Sequence, residues 1–393
     1  MSDGSDLPDR QNQAESLFPI FLLYIIIETY ESVTNLLNLF LIIIPAEEPK
    51  MKKITAVLLS VMLLLSVLTA CAPKDNGPKP NVYDDGRTRP SSAGQLQVLN
   101  GKLCSEDGDP VMLRGVSVNG LINCESFLND QLFEELSKEN GVNLFRLSVY
   151  TYGVGIIGYC TKGDKDRYRA DIAKGVEFAR QHDMYVIIDW HILSDGDPNT
   201  YLEEAKSFFS EMAQSYGSYN NVLYEICNEP NGVDWKTVKS YAEQVIPIIR
   251  EKDPDSVILV GNPDWSKDLR SVAADPLGFE NILYSLHFYS ASHGQEYRDM
   301  TEEMSRAGLP IFVTEYGITA SSGDFPRDTE SADQWIDLLE KENISYCMWS
   351  LSKVREASAM IRFTVPKYNG FTQEDYTETG LWLLDTLKKH NTR

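Results

Sequence analysis

The chain has 393 residues, of which 42% are hydrophobic and 24% are charged. A chain of this size and composition can bury a large core and is not a disordered polymer, and its length fits two or three domains or one large α/β barrel. Its formal net charge of −22 argues against a nucleic acid as partner, because phosphate backbones attract basic proteins.

A short apolar segment near the N-terminus has the features of an export signal. Met51-Lys52-Lys53 precedes a largely apolar stretch, residues 54–68, and small residues then lead to Cys71. This pattern is typical of a secretory signal peptide, and the stretch is shorter than the roughly 20 residues that span a membrane. The ending Leu-Thr-Ala-Cys resembles the lipobox of bacterial lipoproteins, which implies lipidation of Cys71 and a secreted, lipid-anchored protein at the bacterial cell surface. A signal-anchor helix is the alternative.

The residues on either side of this signal are assigned to no folded domain. We interpret residues 1–50 as an upstream extension of the reading frame, with a membrane hairpin as the alternative, although Glu28 and Glu31 interrupt their apolar residues. Residues 72–94 are rich in Pro, Gly, Asp, Asn and Ser and lack apolar periodicity, which predicts a flexible linker. The catalytic domain is therefore expected over residues 95–393.

From residue 95 onward, short apolar runs alternate with amphipathic stretches. Residues 95–112 contain two Asx-Gly turn signals and predict a β-hairpin that caps the floor of a barrel. The apolar runs are Val111–Val118, Val142–Val149, Tyr185–Trp190, Val222–Cys227, Val257–Gly261, Ile282–His287, Ile311–Glu315 and Ile344–Ser350. The helical patterns include Lys165–His182, Tyr201–Tyr216, Trp235–Glu251, Gln295–Arg306 and Ser331–Glu342. Buried strands that alternate with helices in this way indicate an α/β fold, a single (β/α)8 TIM barrel with a small N-terminal hairpin.

Several of these runs end on polar or aromatic residues. In a barrel of this type the carboxyl ends of the strands carry the active site. Glu229 follows the end of the fourth predicted strand and Glu315 ends the seventh, so their carboxylates would face each other across one barrel mouth. Two such carboxylates suit glycoside hydrolysis, in which one donates a proton and the other attacks. Surface salt-bridge acids are the alternative, but the strand-end positions beside Arg146 and two histidines favour the catalytic interpretation.

A wider set of residues resembles a known family. The residues Arg146, His191, Asn228-Glu229-Pro230, His287-x-Tyr289, Glu315 and Trp349 resemble the invariant set of the family 5 glycoside hydrolases, which are retaining enzymes of clan A. Further segments are similar to the bacterial endoglucanase subgroup, namely Tyr185–Tyr201, His293-Gly-Gln295, Ile311–Glu315, Trp349–Ser352 and Glu356-Ala-Ser358. The resemblance covers nearly all of residues 95–393. It implies a retaining endo-β-1,4-glucanase (cellulase) that acts on cellulose or a related β-1,4-linked polysaccharide, and we expect a monomer without cofactor or metal.

The resemblance also implies a role for each residue. Glu229 would be the general acid/base, and Glu315 would be the nucleophile, kept ionised by Arg146 and by a hydrogen bond from Tyr289. Retention of configuration predicts carboxyl groups about 5–5.5 Å apart. Asn228 would bond the 2-hydroxyl of the sugar, and His191 and His287 would fix the glycone and the acid/base. Trp349 would be the floor on which the reacting sugar stacks. Further contacts with the substrate along the cleft would come from Tyr150, Trp265 and Glu356.

Some positions depart from the subgroup pattern and leave the substrate open. Asn119 and Asn123 stand where His and Trp are usual, and Val354 stands where Lys is usual, which puts the distal glycone subsites in doubt. A related β-glycanase acting on mannan, mixed-linkage glucan or xyloglucan is one alternative, because specificity lies in loops. A non-catalytic glycan-binding surface protein is another.

Metal-ligand patterns are weak throughout the sequence. The five cysteines after Cys71 are widely spaced and contain no C-x-x-C pair, which gives zinc no support. Asp107-Gly-Asp109 and Asp195-Gly-Asp197 could suggest calcium, but the full twelve-residue loop pattern is missing and turns explain both. Motifs for serine hydrolases, zinc proteases and P-loop enzymes are also missing from the sequence.

Overall fold

The computed structural model describes residues 81–153 and 157–391. Within them, eight parallel strands form a closed barrel in chain order, and the last strand pairs with the first. These strands are β3 (Arg114–Val118), β4 (Leu144–Tyr150), β5 (Tyr185–His191), β6 (Val222–Glu225), β7 (Ile258–Val260), β8 (Ile282–Tyr289), β9 (Ile311–Gly317) and β10 (Tyr346–Leu351). The predicted TIM barrel is confirmed. The predicted signal peptide and Cys71 lie outside the described residues.

Helices connect the strands around the barrel. They span Asp130–Glu134, Lys165–Gln181, Leu202–Tyr216, Trp235–Arg250, Leu269–Ala274, Gln295–Arg306, Thr329–Glu342 and Glu378–His390. Asp164, Asp234 and Asp328 cap three of the longer helices, since each side chain accepts a hydrogen bond from the first turn. Among the described residues, the helices are all too short or too polar to cross a membrane.

The barrel wall is apolar because both faces of its strands are covered. Every residue of β4, β5, β8, β9 and β10 is buried, as expected for parallel strands with helices outside and packed side chains inside. Three charged residues are fully buried within these walls, Arg146 in β4, Asp189 in β5 and Glu225 in β6. Charges buried this deeply must be paired, so they indicate where the polar site of the barrel lies.

The N-terminal hairpin closes the floor of the barrel, as predicted. Strands β1 (Gln97–Leu99) and β2 (Lys102–Cys104) pair antiparallel, outside the barrel sheet. Leu96 and Leu103 pack in one buried cluster with residues that begin the barrel strands, including Leu144 and Leu283. The floor is therefore sealed by apolar packing, and the opposite end of the barrel remains for the site.

The stretch just before the hairpin differs from the prediction. The sequence places the flexible linker over residues 72–94, but Arg89 is fully buried. Its Nη1 donates to Oγ of Ser137 at 2.7 Å, and its Nη2 pairs with Asp85 at 2.6 Å. Ser91 donates to a carboxylate oxygen of Asp183 at 2.5 Å. The linker prediction is therefore wrong for residues 85–93, which are anchored to the barrel.

Candidate active site

Arg146 lies at the centre of the polar site in the barrel mouth. Its Nε contacts Oε2 of Glu225 at 2.7 Å, and its Nη1 contacts Oε2 of Glu315 at 3.1 Å. Its Nη2 lies 3.0 Å from Oδ2 of Asp189 and 2.6 Å from Oδ1 of Asn228. One buried guanidinium thus pairs with three carboxylates. A further positive charge is needed to balance the negative charge of this cluster.

Glu315 ends the apolar part of β9 and is almost fully buried. Its Oε1 accepts a hydrogen bond from the Tyr289 hydroxyl at 2.7 Å, while Arg146 contacts its Oε2. Burial alone would raise the pKa of Glu315, but the charges of His287 and Arg146 and the Tyr289 hydrogen bond lower it below its ordinary value. Glu315 is therefore ionised at neutral pH, the state that a nucleophile requires.

Glu229 faces Glu315 from the loop that follows β6. Its Oε1 lies 2.8 Å from Nδ1 of His287. A carboxylate oxygen of Glu229 and one of Glu315 lie within 4.8 Å of each other. This separation fits the roughly 5–5.5 Å of retaining glycosidases and is shorter than the roughly 6.5–9.5 Å that inverting enzymes need for a water molecule.

His287 supplies the second positive charge. Burial alone would lower its pKa, but hydrogen bonding to Glu225 and Glu229 and the charge of Glu315 raise the pKa to about 9. Its other nitrogen, Nε2, lies 2.8 Å from Oγ1 of Thr314. Burial would raise the pKa of Glu225, yet Arg146 and His287 lower it to about 2. His287 is therefore protonated at neutral pH.

Asn228 and His191 form one wall of the site. Nδ2 of Asn228 donates to the backbone oxygen of Ile192 at 3.0 Å and lies 3.4 Å from Nε2 of His191. Nδ1 of His191 lies 2.6 Å from Oδ2 of Asp189, which orients the imidazole ring. A chain of contacts thus runs from Arg146 through both Asn228 and Asp189 to His191.

Aromatic rings line this wall. Trp349 stacks on His191 with ring centroids 5.4 Å apart and an interplanar angle of 10°. Tyr150 packs on the same histidine at 4.2 Å, and Tyr150, Tyr289 and Trp349 form one small apolar cluster. Rings of this kind pack against the apolar faces of sugars.

Trp265 stands apart from these rings, on the side of Glu229. Its side chain is 45% exposed, and it borders a cavity of about 240 Å³ lined by Glu229, Trp265, Lys267, His287, Tyr289, His293 and Ser321. Asp264, Trp265 and Ser266 all have left-handed backbone conformations, with φ of 58°, 57° and 56°. Two hydrogen bonds hold this turn against the loop that carries Glu229: Trp265 N donates to Pro230 O at 3.0 Å, and Ser266 Oγ donates to Asn228 O at 2.6 Å. The backbone of Trp265 is therefore held against the loop that carries Glu229.

Glu356 is the predicted site residue that the structure does not bring into the cluster. It is exposed in the loop after β10, where its Oε2 accepts a hydrogen bond from Ser358 at 3.3 Å. Within the described part of the chain, the hydrogen bonds and ion pairs connect Glu356 to none of the Arg146 cluster.

Sequence reasoning did not assign Asp189, Glu225, Thr314 or Lys267 to the site. A signal existed for two of them, because Asp189 and Glu225 lie inside apolar strand patterns, where a carboxylate has to be paired. Thr314 and Lys267 carry no such signal. Threonine is ordinary in a strand, and Lys267 lies in a loop.

The donor atoms of the site could also suggest a metal. Glu229, His287 and Glu315 offer ligand atoms within 4.8 Å of one another. Both nitrogens of His287 are already hydrogen-bonded, however, and Arg146 and Tyr289 occupy the two oxygens of Glu315. Hydrogen bonding between these residues thus explains their proximity without a cation.

Comparisons with known proteins identify the family. The family model for cellulase (glycosyl hydrolase family 5) matches residues 104–354. Endoglucanase A of Butyrivibrio fibrisolvens is 42% identical over 316 residues, covering 79% of this chain and 72% of that protein, and an endoglucanase of Clostridium saccharobutylicum is 40% identical over 334 residues, covering 84% and 71%. The crystal structure of a Thermobifida fusca endoglucanase catalytic domain in complex with cellotetraose aligns with a TM-score of 0.73 at 37% identity, covering 77% of this chain and 100% of that one. The chain belongs to glycosyl hydrolase family 5.

Proposed function

We propose that Glu229 and Glu315 hydrolyse internal β-1,4-glucosidic bonds in two steps with retention of configuration, Glu229 as acid/base and Glu315 as nucleophile. This glycoside hydrolase is an endoglucanase, like its relatives of about 40% identity. One observation carries the assignment of roles. Glu315 is held by two groups that favour its ionised form, Arg146 and Tyr289, whereas Glu229 is hydrogen-bonded to one such group, His287, and borders the open cavity.

In the first step, a carboxylate oxygen of Glu315 bonds to the anomeric carbon as the bond to the leaving oxygen breaks, and Glu229 gives its proton to that oxygen. In the second step, Glu229 takes a proton from water, whose oxygen displaces Glu315. Negative charge thus passes from Glu315 to Glu229 and back. His287 hydrogen-bonds to Glu229 and interacts electrostatically with Glu315, so its charge can stabilise both states.

The surroundings of the two glutamates define two sides of the cleft. Asn228, His191 and Trp349 lie together and would hold the sugar that is attacked, with an Asn228 contact to its 2-hydroxyl. Trp265 borders the cavity beside Glu229, where the leaving sugar would stack. The Thermobifida fusca relative was solved with cellotetraose, which supports a β-1,4-linked glucan as the substrate of this chain.

The test is release of reducing sugar from carboxymethylcellulose, barley β-glucan and mannan. We expect release from the glucans, loss of it in Glu315→Gln, and no loss in Glu243→Gln, which removes an exposed carboxylate on the helix Trp235–Arg250. The first product detected by NMR should be the β-anomer. An initial α-anomer would contradict retention. Binding of cello-oligosaccharides without any cleavage would favour a glycan-binding protein instead.

The cellular location is a separate part of the proposal and rests on residues 51–71. A lipid at Cys71 would tether a monomeric catalytic domain to the bacterial surface. Metabolic labelling with a clickable fatty acid should mark the wild-type protein and not Cys71→Ser. Equal labelling of both proteins would contradict the anchor.

A further inference from the structure

Lys267 places a cation on the leaving-group side of the cleft. It borders the same cavity as Glu229 and Trp265, and its side chain is only 14% exposed. Its Nζ lies 5.2 Å from the centroid of the Trp265 ring. If Glu229 protonates the leaving oxygen, the departing sugar lies on the Glu229 side of this cavity, which the Lys267 side chain also lines.

The ammonium of Lys267 is available to a ligand. Its ion pair with Asp264 is 3.6 Å long, Asp264 is itself 56% exposed, and within residues 81–153 and 157–391 no hydrogen-bond acceptor for Nζ is found. A lysine has three donors, so several remain for a substrate. The other cation of the cavity, His287, is occupied by Glu229 and Thr314.

The remaining groups around the cavity do not compete with Lys267. His293 is neutral at working pH, because burial and then the charge of Lys267 lower its pKa to about 4. Nδ1 of His293 accepts a hydrogen bond from the backbone N–H of Tyr289 at 2.9 Å. The chain as a whole carries a net charge of −22, so an anionic polymer needs a local cation to approach the cleft.

We propose that Lys267 is a specificity-determining residue that favours β-1,4-glucans whose leaving-side sugar, stacked on Trp265, carries a carboxylate. The carboxylate would accept hydrogen bonds from Nζ while the sugar ring covers the indole. This inference rests on the proposed function, because the leaving-group side of the cleft is identified by the proposed acid/base role of Glu229.

The test compares kcat/KM on carboxymethylcellulose and on uncharged hydroxyethylcellulose. In Lys267→Gln the ratio of the two values should fall by about 2- to 5-fold, the range expected for one partly exposed charge pair. Lys267→Arg should retain most of the ratio. Lys206→Gln is the matched control, a partly buried lysine paired with Glu203 on an outer helix, and should leave the ratio unchanged. Added salt screens both the Lys267 attraction and the repulsion by the acidic chain, so it should shrink the difference in this ratio between the wild type and Lys267→Gln.

Each other outcome is also decisive. An equal fall on both polymers in Lys267→Gln would mean that Lys267 only supports Trp265, and would overturn the inference. An unchanged ratio and unchanged salt dependence would overturn it too. A wild type that cleaves neither polymer would instead contradict the proposed function.

Discussion

Arg146 and Glu315 are joined by one contact of 3.1 Å between Nη1 and Oε2, although the same guanidinium also serves Asp189 and Glu225. Glu315 thus shares its counter-charge with two carboxylates, and despite burial Arg146 and His287 together lower the pKa of one of them, Glu225, to about 2. In the proposed two-step reaction Glu315 forms a covalent bond and loses its charge, and Arg146 would then remain paired, so the site would keep its geometry. This preorganisation spares the reaction the cost of rearranging charges.

Tyr289→Phe should slow the reaction and shift its pH profile. The change removes the 2.7 Å hydrogen bond to Oε1 of Glu315, a bond that lowers the pKa of that carboxyl group. Hydrogen bonds to charged groups are worth about 1.5–3 kcal/mol, so kcat should fall by about 10- to 100-fold. The acidic limb of the kcat/KM profile should move to higher pH, because Glu315 then protonates more easily.

Tyr241→Phe is the matched control. It also removes a buried hydroxyl, but that hydroxyl donates to the backbone oxygen of Ile226, outside the cluster. The control should leave the acidic limb in place. If both variants shift it equally, the hydrogen bond to Glu315 does not set the profile.

The pH dependence of stability should report on His287. Its pKa is about 9 in the folded protein against an ordinary value of 6.5, so the folded state holds the proton more tightly than the unfolded state does. The resulting stabilisation is complete below about pH 6.5 and is lost as the pH rises through about 9. Thermal unfolding from pH 6 to 9.5 should show a decline in Tm that is smaller in His287→Gln. A parallel decline in both proteins would assign the effect to other groups.

The barrel could be predicted because its apolar strands and amphipathic helices each follow a local pattern. The strand ends were harder to place. Polar residues suggested that two runs stop at His287 and Glu315, but β8 continues to Tyr289 and β9 to Gly317, since these residues pair across the two strands. Side chains such as those of His287 and Glu315 are polar because they belong to the cluster in the barrel mouth, while their backbones still belong to the sheet.

Other features depend on tertiary contacts that no local pattern encodes. Arg89 lies in a polar, proline-rich stretch, and its burial depends on the distant Ser137 and Asp183 in addition to the nearby Asp85. Trp265 reaches the cleft through a left-handed turn that contains no glycine, so the sequence carries no signal for the turn. The family resemblance placed Trp265 in the cleft, whereas Lys267, two residues further along, was missed.

Arg146→Met should destabilise the fold, and the loss should depend on pH. Without the guanidinium, Asp189, Glu225 and Glu315 are buried with too little positive charge, and breaking such a pair costs about 3–5 kcal/mol. Their pKa values would rise, so the folded state would bind protons that the unfolded state releases. The difference in unfolding free energy from the wild type should therefore be largest near pH 7 and shrink towards pH 4.

Urea denaturation at pH 4, 5.5 and 7 measures this difference. Arg114→Met is the control, because Arg114 forms a bidentate pair with a single carboxylate, Glu340, away from the cluster. Its loss should be smaller at pH 7. A loss in Arg146→Met that stays constant with pH would contradict the electrostatic explanation and indicate a packing defect.

Arg89→Met should destabilise the barrel although Arg89 lies before its first strand. The change leaves Oγ of Ser137 and the backbone oxygen of Asp183 without their donor and leaves Asp85 without its 2.6 Å partner. Buried groups left unpaired cost about 1–3 kcal/mol each, so we expect a loss of about 2–4 kcal/mol in urea denaturation. Arg362→Met, which removes an exposed arginine, should change the stability little. In the described part of the chain, Arg89 contacts none of the residues in the barrel mouth, so kcat below the unfolding temperature should not change. An unaltered unfolding curve would contradict the anchoring role and favour a flexible linker over residues 85–93.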